Sequence, residues 1–556
     1  MSPAKRFFKL LKMDKKDIYQ IFFYAIFAGL VSLSLPLGIQ AIINFIQSGR
    51  VSVSWIVLVI FVVLGVALVG FLAFMQLRIT ENLQQKIFVR SSFEFAYKLP
   101  KIKFEDLYQN IYPPELANRF FDTITIQKGL SKIVLDFSSA LLQIGFGIIL
   151  LSLYHPFFIV FGLLLVGLLY LIFKYSYSPG VETSLKESKY KYQVADWLQE
   201  IARNKTSFRN ETNFNYALKK NDAIVGNYLQ YREKHFEIIK RQFGQLVFFK
   251  IIITAGLLLL GGYLVITQRM NIGQFVASEI VILLVINSVE KIFLGLETFY
   301  DVLTSLEKIG QVTDMEFEQE NDKPFDSCYT DINLELENIS LRFPNSTDNI
   351  LKEISLHISP SEKIILTGKN GSGKTTLIHI LSGILTPTSG AFFVNDDTFR
   401  KINLTQYRSQ IAAITQGETP FEGTLIENIT FNDPNISEEN IRWAIDAAQL
   451  NSFFRTLPNG LDTEILPEGK QLSSSNAQKI LIARSIVKKP KILFYEDPTD
   501  LMDDETARKI IDFICLPEHK WTVLVTSKNP YWKEKASRII VMEKGRIIND
   551  QKTNHA

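Results

Sequence analysis

Long apolar tracts alternate with charged stretches through the N-terminal half of the chain, and this alternation predicts membrane helices. Residues 19–49 and 51–77 carry no charged side chain, and only Arg50 separates them. Residues 137–173 are also charge-free and are interrupted by Tyr154-His155-Pro156, the pattern of two helices joined by a tight turn. A further tract runs from Ile251 to Gln268, and a weaker one from Ile272 to Leu296 contains Glu279, Glu290 and Lys291. A bilayer crossing needs roughly 20 apolar residues, so six spans are expected, at 19–47, 53–76, 135–154, 156–175, 248–268 and 272–296. Buried helices of a soluble protein would give similar tracts, but so many of this length are rare in globular cores.

Between the spans, residues 78–132 and 175–245 are rich in Lys and Arg. No Gly or Pro occurs from Val181 to Val225. About 45 residues rising about 1.5 Å each would make roughly 65 Å of continuous helix, far more than a bilayer requires. Both segments are expected to be helical arms reaching into the cytoplasm, turning back near Pro113-Pro114-Glu115 and near Asn210-Glu211-Thr212. The basic opening MSPAKRFFKLLKMDKK predicts a cytoplasmic N-terminus, with the turns at Arg50, His155 and Arg269 outside. Glu279, Glu290 and Glu297 fall near one face of the last span, each step returning to within about 20°. They form either a polar stripe along a pathway or an interfacial pair plus a locally paired Glu279. Lys250 is expected to extend to the inner interface.

The pattern changes in the second half. INLELENISLRF alternates like a β-strand, and KIILTGKNGSGKTTLIHILSGIL joins an apolar strand to a helix through a glycine turn. Gly368-Lys369-Asn370-Gly371-Ser372-Gly373-Lys374-Thr375 has the spacing of a phosphate-binding loop. Gly371 and Gly373 let backbone N–H groups turn toward a polyphosphate, and the following helix N-terminus adds positive potential. Lys374 is placed to reach the β- and γ-phosphates, and Thr375 to offer a hydroxyl to Mg²⁺. Farther on, KILFYED is an apolar strand ending in Glu496 and Asp497. In phosphate-loop folds such a strand supplies a carboxylate for Mg²⁺.

Composition changes this picture little. A net charge of +3 over 556 residues gives no reason to expect a nucleic-acid partner. Two cysteines, Cys328 and Cys515, make neither a disulfide framework nor a metal-ligand spacing. The first apolar tract is too long for a cleavable signal and lacks a small-residue cleavage site.

Six spans with long arms followed by such a nucleotide domain resemble a half-transporter of the type I ABC exporter family, across nearly the whole chain. The resemblance implies a membrane α-helical domain over 1–310, a linker over 311–330, and a cytosolic α/β P-loop ATP-binding cassette over 331–556. ATP and Mg²⁺ are the implied cofactors, with Phe343 as the adenine-stacking aromatic and Gly368–Thr376 as the phosphate loop with its helix start. Gln416 corresponds to the glutamine that touches Mg²⁺, so Thr375, Gln416 and Glu496 form the implied metal set. GKQLSSSNAQKILIARS matches the signature segment in register, bringing Ser473 and Ser475 toward a partner's nucleotide, and Asp503 matches the D-loop aspartate.

The departures from that family fall on the chemistry. The family has aspartate for Mg²⁺ and then glutamate to polarise the attacking water; here Glu496 precedes Asp497. The shorter Asp497 would hold its carboxylate about 1–1.5 Å back from the water, a misplacement that can cost about 10²-fold in rate. The signature Leu-Ser-Gly-Gly-Gln is replaced by Leu472-Ser473-Ser474-Ser475-Asn476, whose Ser and Asn residues would also serve simply to start a helix. Lys528 stands where the family has its switch histidine. It has donors but no acceptor, and a solvated lysine at a strand end is the alternative. Leu466-Pro467 replaces the usual Gly-Glu before the signature.

Asp497, Glu496 and Lys528 are therefore the expected catalytic set, with slow hydrolysis. The expected function is an exporter subunit in a bacterial inner membrane, multi-pass, with both termini cytoplasmic. A non-hydrolysing ATP-binding partner or regulatory half is the alternative. The expected partners are the bilayer and a second half-transporter, identical or different, with a periplasmic adaptor as a further candidate. No peptidase-like segment precedes the first tract, so peptide maturation is not expected.

Overall fold

The computed structural model describes residues 1–47, 53–103, 113–318, 325, 331–344 and 346–553. Arg50, Cys328 and most of the expected linker lie outside the described residues. The chain forms two compact units. One comprises Met1–Pro100 and Tyr112–Met315; the other comprises Glu316–Ala556 and the short stretch beginning at Lys101, whose Ile102 forms a β-bridge with Phe317.

The first unit holds six helical segments long and apolar enough to cross a membrane: Lys15–Gln47, Val53–Lys101, Pro114–Tyr154, Phe157–Arg203, Glu211–Ile266 and Ile272–Thr313. An amphipathic helix, Pro3–Met13, precedes them. Helix Glu211–Ile266 has 56 residues. At about 1.5 Å per residue it is roughly 84 Å long, more than twice the hydrocarbon core of a bilayer. Only 6% of the most apolar window of Val53–Lys101 is buried in the protein, against 50% for Ile272–Thr313. An apolar face that wide suits lipid rather than water.

Helix Ile272–Thr313 packs along Asp122–Tyr154. Gly147 makes the close approach possible, because a Cβ there would stand 2.7 Å from Val285 Cγ2. The arm over Val181–Val225 is not one continuous helix. It breaks at 204–210 although no Gly or Pro is present. Asparagines punctuate it: Asn204 Nδ2 donates to the Glu200 carbonyl (3.2 Å) and carboxylate (2.6 Å), and Asn210 accepts from the Asn213 N–H at 2.8 Å. At the other expected turn, helix Pro113–Asn118 follows residues outside the description.

The structure adds partners to the charged residues of the spans. The Lys250 amine lies 2.8 Å from Glu290. Glu297 lies 3.5 Å from Arg232, which also meets Glu187 at 3.3 Å. Glu279 has no ion pair among the described residues, so the alternative of a locally paired Glu279 gains no support there. Burial of an apolar lysine stem with a paired head is cheaper than burial of either charge alone.

In the second unit a six-stranded sheet has the spatial order Arg546–Lys552, Arg538–Glu543, Lys363–Thr367, Thr522–Thr526, Ile492–Glu496, Ile411–Ile414. All its pairings are parallel except the antiparallel edge strand Arg546–Lys552. The apolar runs follow from cover on both faces. Ile364, Leu366, Phe494 and Leu524 face a core shared with a four-stranded antiparallel sheet. Ile365, Leu493, Tyr495 and Val525 face helices carrying Ile480, Ile510 and Trp532. The parallel register brings the ends of Lys363–Thr367, Thr522–Thr526 and Ile492–Glu496 to one edge.

Candidate functional site

The strand Lys363–Thr367 ends in a turn that only glycine fits. Gly368 has φ +148°, and a Cβ on it would lie 2.2 Å from the Met542 carbonyl oxygen. Gly373, at φ +99°, caps helix Lys374–Leu381 without a side-chain bond to its first turn. The N–H groups opening that helix are therefore left for another acceptor.

A cavity of about 610 Å³ opens over this turn. Gly368, Asn370, Gly371, Gly373, Lys374, Thr375, Thr376, Gln416, Glu496, Asp497 and Lys528 line it. Lys369 and Ser372 do not: the Ser372 side chain is buried, and its N–H donates to the Lys369 carbonyl at 3.1 Å. The Lys374 amine donates to the Gly368 and Lys369 carbonyls, at 2.9 and 3.1 Å, and so lies folded over the loop.

Glu496 is 6% exposed. Its Oε2 accepts the backbone N–H of Gln416 at 2.9 Å, while Oε1 is buried with no hydrogen-bond partner. Asp497 has φ +44°, a left-handed conformation that few non-glycine residues adopt. Its N–H donates to the Thr526 carbonyl at 2.7 Å, and its own carbonyl accepts from Gln478 Nε2 at 3.2 Å. Burial, and then the negative charge of Asp500, pushes its carboxyl up to about 6; Lys528 opposes that shift. Asp500 in turn accepts from Ser527 Oγ at 2.7 Å.

Phe343, and the Ser473 and Ser475 expected to face a partner's nucleotide, lie outside this cavity. Phe343 is half-buried against the core beneath the antiparallel sheet and does not line the cavity. Ser473 caps helix Ser474–Ile486, accepting the Asn476 N–H at 3.2 Å, so the segment does start a helix. Ser475 lies in the first turn of that helix, away from this cavity. Upstream, Pro467–Gly469 forms a tight turn with Glu468 at φ +61°. Asp503 caps Asp504–Cys515 through the Thr506 N–H at 2.8 Å. Ile350, Thr526, Ser527 and Lys533 also line the cavity and carry no motif signal. The one cue to Thr526 and Ser527 was their place at the end of an apolar strand.

Oxygen donors from Thr375, Gln416 and Glu496 share the cavity with the lysine amines of Lys374 and Lys528. A hard-oxygen set beside cationic groups and free backbone N–H groups suits a polyphosphate with a divalent cation. The orphaned Glu496 Oε1 has an acceptor to offer such a cation.

The ABC transporter family profile matches residues 351–500. The ATP-dependent lipid A-core flippase of Desulfotalea psychrophila is 29% identical over 297 residues, covering 53% of this chain and 52% of that protein. The alpha-hemolysin translocation ATP-binding protein HlyB of Escherichia coli O157:H7 is 29% identical over 296 residues, covering 52% of this chain and 41% of its own length. The chain thus spans about half the length of the curated relatives it matches. A bacterial Atm1-family ABC exporter solved with ATP bound superposes with a TM-score of 0.84 at 17% identity, over 97% of this chain and 95% of the other. The chain therefore joins six long apolar helices to a unit in which residues 351–500 match the ABC transporter profile, and it shares the fold of that solved exporter.

Proposed function

We propose that the chain is one half of an ATP-driven exporter that holds nucleotide firmly and hydrolyses it slowly. The carrying observation is a phosphate loop of regular geometry facing an acidic pair in the reverse of the family order. Gly371, Gly373 and Lys374, with the helix N-terminus, would bind the β- and γ-phosphates. Thr375, Gln416 and Glu496 would hold Mg²⁺, which when bound neutralises phosphate charge. Glu496 supports this through its uncommitted Oε1, while its other oxygen is positioned by the Gln416 peptide. Asp497 would be the water-orienting base, set back by one methylene. Lys528 would supply fixed positive charge near the phosphates but cannot accept a proton from water while bridging to them.

In the family arrangement, Ser473 and Ser475 would face the nucleotide of a second half-transporter, identical or not. Their hydroxyls can still donate, although they fill space that glycine leaves open. Both catalytic faces of a homodimer would be altered. Nucleotide-driven closure would then be conveyed by the helical arms to the spans. We place the chain in a bacterial inner membrane with cytoplasmic termini; the acidic stripe of Glu279, Glu290 and Glu297 favours a polar or cationic cargo.

The reversed acids also favour a second reading, a non-hydrolysing partner half. Steady-state ATP turnover of the purified chain, measured beside Lys374→Ala, separates the two. The exporter reading expects turnover slow but above that variant. Equal rates would leave only the partner-half reading.

A further inference from the structure

A second cavity, of about 420 Å³, lies at the opposite end of the same sheet, where strands Ile492–Glu496 and Thr522–Thr526 begin. Its volume is within the range of small-molecule sites. The lining side chains fall into two chemical sets. Trp443, His519 and Trp521 supply aromatic surface, while Lys489, Lys491 and Lys520 outnumber the lone acid, Glu518.

The aromatic set is preorganised. The His519 and Trp521 rings lie 4.4 Å apart between centroids, and Phe513 backs His519 at 4.6 Å. Trp443 stands 6.3 Å from Trp521 and is only half-buried. Burial holds the His519 imidazole below the usual histidine range, so at neutral pH it acts as a ring rather than a charge. Trp521 is locked by its indole N–H, which donates to the Ile514 carbonyl at 2.8 Å.

The backbone presenting the lysines is equally fixed. The Lys491 carbonyl accepts the Thr522 N–H at 2.8 Å, tying the two lysine-bearing segments together. Beneath them the buried Lys363 amine donates to the His519 carbonyl at 3.1 Å and also to that of Trp521. Lys489, three residues past the end of helix Ser474–Ile486, is in a left-handed conformation, φ +51°, which glycine or asparagine adopts more readily. That conformation holds its amine 5.4 Å from the centre of the Trp443 ring.

An aromatic floor with ammonium groups at its rim suits a planar ring that carries an anion. We propose that this cavity binds a small phosphorylated planar ring, the chemistry of a nucleoside monophosphate. The ring would stack on Trp443, and the phosphate would lie against Lys489 and Lys520. This site has no glycine turn and no metal-binding carboxylate pair, so it differs from the phosphate-loop cavity in chemistry as well as position. It does not rest on the transport reading.

Trp443 and Trp521 make the site its own reporter. The test uses the full-length chain carrying Lys374→Ala, which weakens the phosphate-loop cavity, and follows tryptophan fluorescence during titration with adenosine monophosphate. Saturable quenching is expected in that background. Replacing both exposed amines, Lys489→Gln with Lys520→Gln, should weaken it by at least about tenfold, equivalent to about 1.4 kcal/mol. Lys489→Arg with Lys520→Arg should restore it. Unchanged melting of the two double variants would show that neither has lost its fold. Quenching that disappears with Lys374→Ala alone, or that survives the glutamine pair, would overturn the proposal. Inorganic phosphate competing as well as the nucleotide would overturn the ring-binding half of it.

Discussion

Glu496 and Asp497 differ by one methylene each from the order their family resemblance implies, and the surrounding backbone explains why the exchange matters. Glu496 ends a fully buried strand and lines the cavity; its Oε2 is pinned by the Gln416 N–H, and Oε1 is buried with no hydrogen-bond partner. Asp497 sits at positive φ with its peptide bonded to Thr526, so its side chain has little freedom to lengthen its reach. Exchanging the pair, Glu496→Asp with Asp497→Glu, should raise ATP turnover by roughly 10-fold or more, leaving nucleotide affinity within about threefold. Single-turnover hydrolysis and equilibrium nucleotide binding would measure the two effects separately. No rise in turnover would mean that the short base is not what slows the reaction. At this scale the phosphate loop and the acids could be read from the residues alone, because glycine spacing and charge act within a few residues. The burial of Ser372, the packing of Phe343 against the core and the tie between Asp500 and Ser527 could not be read. Each depends on neighbours distant in the chain.

Elements were legible where periodicity was strong. The six long apolar helices and the parallel strands follow from runs of uncharged or β-branched residues. The break in the arm over 181–225 was also legible, near Asn210-Glu211-Thr212, although the segment has no proline or glycine: Asn204 and Asn210 end one helix and start the next by giving the backbone side-chain partners. Close helix pairing was hidden, because a glycine in an apolar tract reads the same whether it faces lipid or a neighbour. Gly70 and Gly145 face open space, whereas Gly147 abuts Val285. Gly147→Leu should therefore destabilise the six-helix unit by about 1–3 kcal/mol, read as a lowered melting temperature of the full chain in detergent. Gly145→Leu should change it little, and Val285→Ala should recover part of the Gly147→Leu loss. Equal effects at 145 and 147 would refute the packing argument.

At the scale of the whole molecule, the distribution of exposed apolar surface separates the two units. Phe61, Val63, Leu64 and Phe71 on one helix are all more than half exposed, a face that water would not tolerate at that extent but lipid would. The proposed orientation puts position 50 outside and position 212 inside. Single cysteines there, Arg50→Cys and Thr212→Cys, on a chain with Cys328 and Cys515 replaced by serine, should react with a membrane-impermeant maleimide in intact cells only at 50. Labelling of 212 alone in intact cells would invert the topology, and labelling of both positions only after lysis would overturn the outside placement of 50. Chain composition and local spacing were enough to predict six long apolar helices, a glycine turn between a strand and a helix, and an apolar strand ending in two acids, since hydropathy, glycine conformation and charge are properties of short stretches. Three-dimensional packing alone settled which glycines meet a partner helix, that Lys250 answers Glu290, which loop residues face the cavity, and that aromatic and basic residues from separate segments converge at the far end of the sheet. Those outcomes depend on the relative placement of residues tens to hundreds of positions apart, which no local pattern records.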